Sequence, residues 1–244
     1  MRKAKDFTTE FWESVGVYAF SFLAVAFTPF LGRWVALLFR NLAYGQMNGF
    51  FREVTTSLLW AIELIVLGVL LAKRKKKREP EVVSADAKEP VPECKNDSLL
   101  PVKNVLIIGA ITIVCILIIS VQIGFKVKPF YDIGEKVTGY QLLDRLGIII
   151  RNAVKCVWIF LILTSADRIA GELLCNVKGN IAKYLPYLLT GVLTLGFGIY
   201  DLLWTQNPFF WTYLLFYVAF TAAYYLMRKQ PVKTTLLILF IYLF

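Results

Sequence analysis

Six consecutive cations, Lys73-Arg74-Lys75-Lys76-Lys77-Arg78, stand directly behind an apolar run at residues 58–72. Charge of that density does not enter hydrocarbon, so it halts the preceding helix at a membrane surface. Cytoplasmic flanks of transmembrane helices are enriched in Lys and Arg, which assigns this helix end to the cytosol as a topology anchor. The direction of every segment on either side then follows.

Composition extends the point to the whole chain. Its 244 residues are 58% hydrophobic and 18% charged, with a mean hydropathy of +0.62, where a soluble domain carries about a quarter charged residues. Several apolar runs approach or exceed the roughly 18 residues that mark a membrane span. The expected fold is all-α: a polytopic integral membrane helical bundle with six to seven transmembrane helices. Alternating strands of about ten residues, the mark of an outer-membrane barrel, are not seen in the pattern. The net charge of +10 collects at helix ends, which points to the lipid bilayer and its anionic headgroups as partners. A basic face interleaved with aromatics, as nucleic-acid binding needs, is missing from the sequence.

The pattern places spans at residues 11–31, 54–72, 104–125, 146–165, 184–204 and 209–227, with a short seventh at 232–244. Residues 33–53 hold apolar clusters interrupted by Arg33, Arg40 and Arg52, too polar to cross and expected to lie in the outer interface as an amphipathic or re-entrant piece. Residues 79–103 are rich in Pro, Glu, Lys, Ser and Asp and read as a mobile cytosolic linker, because such composition cannot bury enough apolar surface to offset chain entropy. The chain therefore divides into 1–72, two spans with an outer interfacial segment; 73–103, a basic then mixed-charge disordered linker; and 104–244, a second block of four to five spans. Of the 27 Lys and Arg, this layout puts 18 in the cytosol and 7 outside, leaving Arg151 and Lys155 inside a helix. That bias predicts a multi-pass protein of the cell membrane with a cytoplasmic N-terminus and an external C-terminus. The apolar run behind the basic start lacks a small-residue cleavage site and reads as a retained first span.

Ionisable groups at membrane depth require a partner or a wet cavity, since each costs at least about 2.5–3.5 kcal/mol there. The candidates are Glu63 in the second span, Arg151, Asn152 and Lys155 in the fourth, and Tyr200 and Asp201 in the fifth. Arg151 and Lys155, four residues apart, share a helix face. Glu63 and Lys155 both lie about nine residues from a helix end, so depth predicts that they pair and that Arg151 faces Asp201. These groups are either structural ion pairs that fix which helices touch, or an outward-open pocket for an anionic group with Asn152 and Tyr200 as hydrogen-bonding partners. Gly196 and Gly198 read as packing or hinge positions. Asp167, Arg168 and Glu172 form a small polar cluster beyond the fourth span.

Catalytic routes are few. The chain has no histidine, which removes the common zinc motifs, the Ser-His and Cys-His dyads and the usual proton shuttles. No phosphate-binding or dinucleotide-binding glycine motif occurs in a fitting context. Cys94, Cys115, Cys156 and Cys175 have no paired spacing and read as reduced thiols. Neither a metal nor a cofactor is expected. The sequence thus favours a non-catalytic membrane protein that binds or translocates a small anionic or amphipathic ligand, alone or as the membrane subunit of a larger complex. The alternatives are a scaffold for another membrane protein of the envelope, and an intramembrane enzyme built on carboxylates such as Asp201.

Overall fold

The computed structural model describes residues 8–39, 48–78, 102–122, 124, 139–174, 177, 184–204, 210–227 and 230–243. They form seven helices: α1 (Thr9–Phe39), α2 (Asn48–Arg78), α3 (Val102–Gln122), α4 (Gly139–Leu174), α5 (Leu185–Trp204), α6 (Phe210–Leu226) and α7 (Pro231–Leu243). No strand occurs among the described residues, and the expected all-helical membrane bundle is what the chain forms. Five helices, α1 to α5, are long and apolar enough to cross a bilayer. The 13 residues of α7 reach only about 20 Å at the helical rise, against a hydrocarbon core of about 30 Å.

Apolar environments force every backbone polar group into a helix and every stray hydroxyl onto a nearby acceptor. Ser14, Ser21, Thr112, Thr194 and Thr221 each donate to the carbonyl four residues back, at 2.7–2.9 Å. Thr8 begins α1 by accepting from the Phe11 backbone N–H at 3.2 Å, as an N-cap does.

Side-chain contacts order the bundle. Trp60 with Ala24 and Glu63 with Thr28 join α1 to α2, Phe20 with Trp158 joins α1 to α4, and Asp201 with Lys155 and Tyr217 joins α5 to α4 and α6. Successive helices alternate in direction, giving a near end where α1 begins and a far end where α2 begins. At the centre lies α4, packed against α1, α2, α5 and α7, with Cys156, Trp158, Ile159, Ile162, Leu163, Ala166 and Ala170 wholly buried. By contrast α3 packs chiefly on α6 and α7. Its buried residues, Ile108, Thr112, Cys115 and Ile119, form one stripe at helical spacing, while Val105, Leu106, Ile113, Val114 and Leu117 face outward. An outward apolar face of this kind suits contact with lipid.

Helix boundaries depart from expectation where charge enters. Trp34 to Phe39 prolong α1, and α2 already begins at Asn48, so most of the stretch expected as a separate interfacial piece extends two helices; residues 40–47 lie outside the described set. The cationic run continues α2 to Arg78, because Lys and Arg are good helix formers once the backbone has started. Lys73 and Arg74 are exposed. Most of the linker expected at 79–103 also lies outside the described residues. The helix α4 overruns the span expected at 146–165 on both sides, reaching Leu174 and extending back to Gly139. Cys115 and Cys156 are buried free thiols; Cys94 and Cys175 fall outside the described residues.

Candidate functional site

Charge in the far half of the bundle is arranged in two layers, both anchored on α4. In the deeper layer Lys155 Nζ lies 2.7 Å from Asp201 Oδ2, and the Tyr217 hydroxyl donates to the same oxygen at 2.8 Å. The Lys155 and Asp201 side chains are 7% and 2% exposed. Phe197 and Phe220 are buried and pack against the Tyr217 ring. Burying two charges is costly, and the loss is offset only where geometry is good and spare lone pairs are bonded. Here the added phenol supplies that bond.

The local sequence explains how Tyr217 arrives there. A Cβ on Gly198, one turn before Asp201, would stand 2.5 Å from the Tyr217 ring. Only hydrogen at that position lets α5 and α6 approach closely enough for the phenol to reach the carboxylate. The sequence reading of Gly198 as a packing position agrees with this contact.

In the shallower layer Glu53 serves two arginines. Its Oε2 accepts from Arg151 Nη1 at 2.6 Å, and its Oε1 from Arg52 Nη2 at 2.7 Å and Nε at 3.0 Å. Glu53 is buried, with its side chain 4% exposed, whereas those of Arg151 and Arg52 are 34% and 45% exposed. Gly147 permits the approach of α2, since a Cβ there would lie 3.1 Å from that of Glu53. One turn away Asp144 Oδ1 accepts from the Phe50 backbone N–H at 2.6 Å. This places a carboxylate against the first turn of α2, where unpaired N–H groups and the helix dipole favour it. Two guanidinium groups on one carboxylate leave a surplus positive charge at a half-exposed surface.

The expected pairing is therefore exchanged. Lys155 meets Asp201 and not Glu63, and Arg151 meets Glu53 and not Asp201. Reckoning depth from span ends misplaced these groups, because α2 and α4 both extend beyond their apolar cores. Glu63 instead stands at the α1–α2 contact, where its Oε1 accepts from Thr28 Oγ1 at 2.6 Å. Tyr200 lies against Phe22 of α1, ring centroids 4.2 Å apart, and so belongs to a different helix contact from Arg151. Asn152 is buried at 4% exposure beside Arg151 on α4.

The chain matches no protein-family profile, no curated protein and no solved structure. What the site can do is thus read from its own chemistry. Among the described residues no group of His, Cys, Asp and Glu is placed to hold a metal ion. At the near end Asp167 accepts from Tyr225 at 2.8 Å and Tyr224 at 3.4 Å, with Tyr225 also 2.9 Å from Thr190 Oγ1. Beyond it Thr8 bonds Glu172, beside an open cavity of about 280 Å³ lined by Glu10, Phe11, Arg168, Gly171 and Glu172.

Two functional partners escaped sequence reasoning. Glu53 was counted with the outer segment, although a carboxylate next to Arg52 at the mouth of a span is a visible signal. Tyr217 was one of many aromatics in its helix. Its mark was helical spacing with Tyr213 and Tyr224, which puts the three on one buried face.

Proposed function

We propose that this chain is a non-catalytic multi-pass membrane protein that binds a small anionic or amphipathic ligand at the far end of the bundle, through Arg52 and Arg151. The observation that carries this reading is the shared carboxylate: one buried Glu53 positions two half-exposed guanidinium groups and neutralises only one of them. Guanidinium presents paired donors that suit phosphate, sulfate and carboxylate. Exposed apolar side chains on α2, Leu58 and Ile62 among them, offer a surface for an acyl tail next to the head-group site. Lys155, neutralised and enclosed, acts in this reading as a brace for α4, α5 and α6. With the cationic run of α2 in the cytosol, the arginine end faces outward.

The test is thermal stabilisation of the purified protein in phosphatidylcholine nanodiscs, with dodecyl phosphate as the anionic probe and a neutral dodecyl glycoside as control. The expected result is a higher Tm with the phosphate alone, reduced in Arg151→Ala and in Arg52→Ala. Equal shifts from both amphiphiles, or an undiminished shift in both variants, overturn the reading. A membrane protein that copurifies equally with wild type and both variants, in the absence of a ligand shift, points to the scaffold role.

A further inference from the structure

Glu63 is used by neither charged layer. It stands near the middle of the apolar stretch Gly49–Arg74 of α2, flanked by Ile62, Ile65 and Val66, which are 56%, 66% and 48% exposed. The side chain itself is half-buried. Its Oε1 accepts from Thr28 at 2.6 Å. Its Oε2 is buried and has no hydrogen-bond partner among the described residues.

The helices packed on α2 are α1 and α4, and their charged and titratable groups are engaged elsewhere or distant. On α4, Arg151 is bonded to Glu53 and Lys155 to Asp201, and Cys156 is a buried thiol. On α1, Tyr18 donates to the Leu193 carbonyl at 2.8 Å, Arg33 is exposed beyond Thr28, and Glu13 lies toward the near end. On α2 itself, Arg52 and Glu53 pair with one another and with Arg151. Among the described residues no cation is bonded to Glu63.

An anionic carboxylate left in this position would set a full charge against lipid with one oxygen unsatisfied, the arrangement that hydrocarbon tolerates least. A proton removes the charge and turns Oε2 into a donor. One turn along α1 from Thr28, the carbonyl of buried Val25 lacks its usual donor four residues on, because Pro29 has no N–H.

We propose that Glu63 is a proton-binding site at mid-membrane depth, a carboxyl group that carries an exchangeable proton at the α1–α2 contact. Thr28 fixes the carbonyl oxygen by donating to it, and Oε2 holds the proton. The site gives the protein a means of coupling proton uptake to the packing of α1 against α2, independent of the arginine layer.

The test uses the full chain in phosphatidylcholine vesicles and the lipid-soluble reagent dicyclohexylcarbodiimide. A protonated carboxyl transfers its proton to one carbodiimide nitrogen, bonds through oxygen to the central carbon, and rearranges by an oxygen-to-nitrogen acyl shift to a stable N-acylurea. The product is a simple addition with no leaving group. Peptide mass spectrometry should find the adduct on Glu63, with labelling that falls as pH is raised and is lost in Glu63→Gln. Infrared spectroscopy supplies a second readout free of reagent access: a protonated-carboxyl C=O band in wild type at neutral pH that is absent in Glu63→Gln. Absence of that band from wild type overturns the proposal. Protection of Glu63 from the reagent by sodium at fixed pH, with choline as control, assigns the site to an alkali cation and also overturns it.

Discussion

Lys155 on α4 and Asp201 on α5 are 46 residues apart in sequence and 2.7 Å apart in the fold, with Tyr217 of α6 donating to the same carboxylate oxygen. Three helices are thus joined at one atom. Removing one charge leaves the other buried and alone, which costs about 3–5 kcal/mol, whereas replacing both by apolar groups of similar volume is often neutral or stabilising. Lys155→Met and Asp201→Leu are each expected to lower unfolding stability by that amount, and the double variant to regain most of it. Denaturant unfolding of the four proteins in neutral detergent, treated as a double-mutant cycle, measures the coupling. Additive losses would mean the pair does not bind these helices together.

Tyr217 reaches Asp201 because Gly198 leaves room for its ring. Gly198→Ala is expected to cost about 1–3 kcal/mol through overpacking, with part of the loss recovered when Tyr217 is replaced by Leu. Tyr217→Phe keeps the ring and removes only a hydrogen bond to a charged acceptor, at about 1.5–3 kcal/mol. Thermal unfolding separates the two effects: Gly198→Ala is partly relieved by adding Tyr217→Leu, whereas Tyr217→Phe alone reads the loss of the hydrogen bond.

The membrane class and the central apolar limits of the spans were legible because hydrophobicity is a local property, summed over a window. Partners were not. Whether Arg151 meets Asp201 or Glu53 depends on how far α4 slides along α2, and Gly147 lies at that contact; its role, like that of Gly198 between α5 and α6, is in what it omits. The ends of α1, α2 and α4 also escaped: α1 continues past Arg33 through Trp34 to Phe39, and α2 runs on through the charged Lys73 to Arg78 without ceasing to be helical. Helix propensity continues through a charged run where membrane preference has already ended.

A carboxylate on α4 is held at the near end by tyrosine hydroxyls. Asp167 accepts from Tyr225 at 2.8 Å, and the Tyr225 hydroxyl also lies 2.9 Å from Thr190, linking α4, α5 and α6 one turn beyond the wholly buried Leu163. Tyr225→Phe is expected to cost about 1.5–3 kcal/mol, as for any hydrogen bond to a charged group. Thr190→Val should cost less, since Thr190 also bonds the Pro186 carbonyl within its own helix. Unfolding midpoints rank the two; the reverse order would show that the hydroxyl chain, and not the carboxylate, holds this end.

Arg52 and Arg151 are exposed enough for salt to reach them, and this separates them from Lys155. Surface electrostatic attraction decays over a Debye length of about 10 Å at 0.1 M salt, while an enclosed pair is screened much less. Binding of dodecyl phosphate is therefore expected to weaken as potassium chloride is raised from low to near-molar concentration, with the stability of the Lys155–Asp201 brace nearly unchanged. Glu53→Gln sharpens the contrast. It frees the guanidinium groups from their shared counter-charge and should strengthen binding of the anionic probe at low salt. It should also destabilise the fold, because the α2–α4 contact loses a buried carboxylate bonded on both oxygens. Isothermal titration across the salt series, with unfolding measured on the same samples, reads both quantities. Tighter binding with lower stability is the expected combination; weaker binding would mean that Glu53 orients the arginines more than it neutralises them.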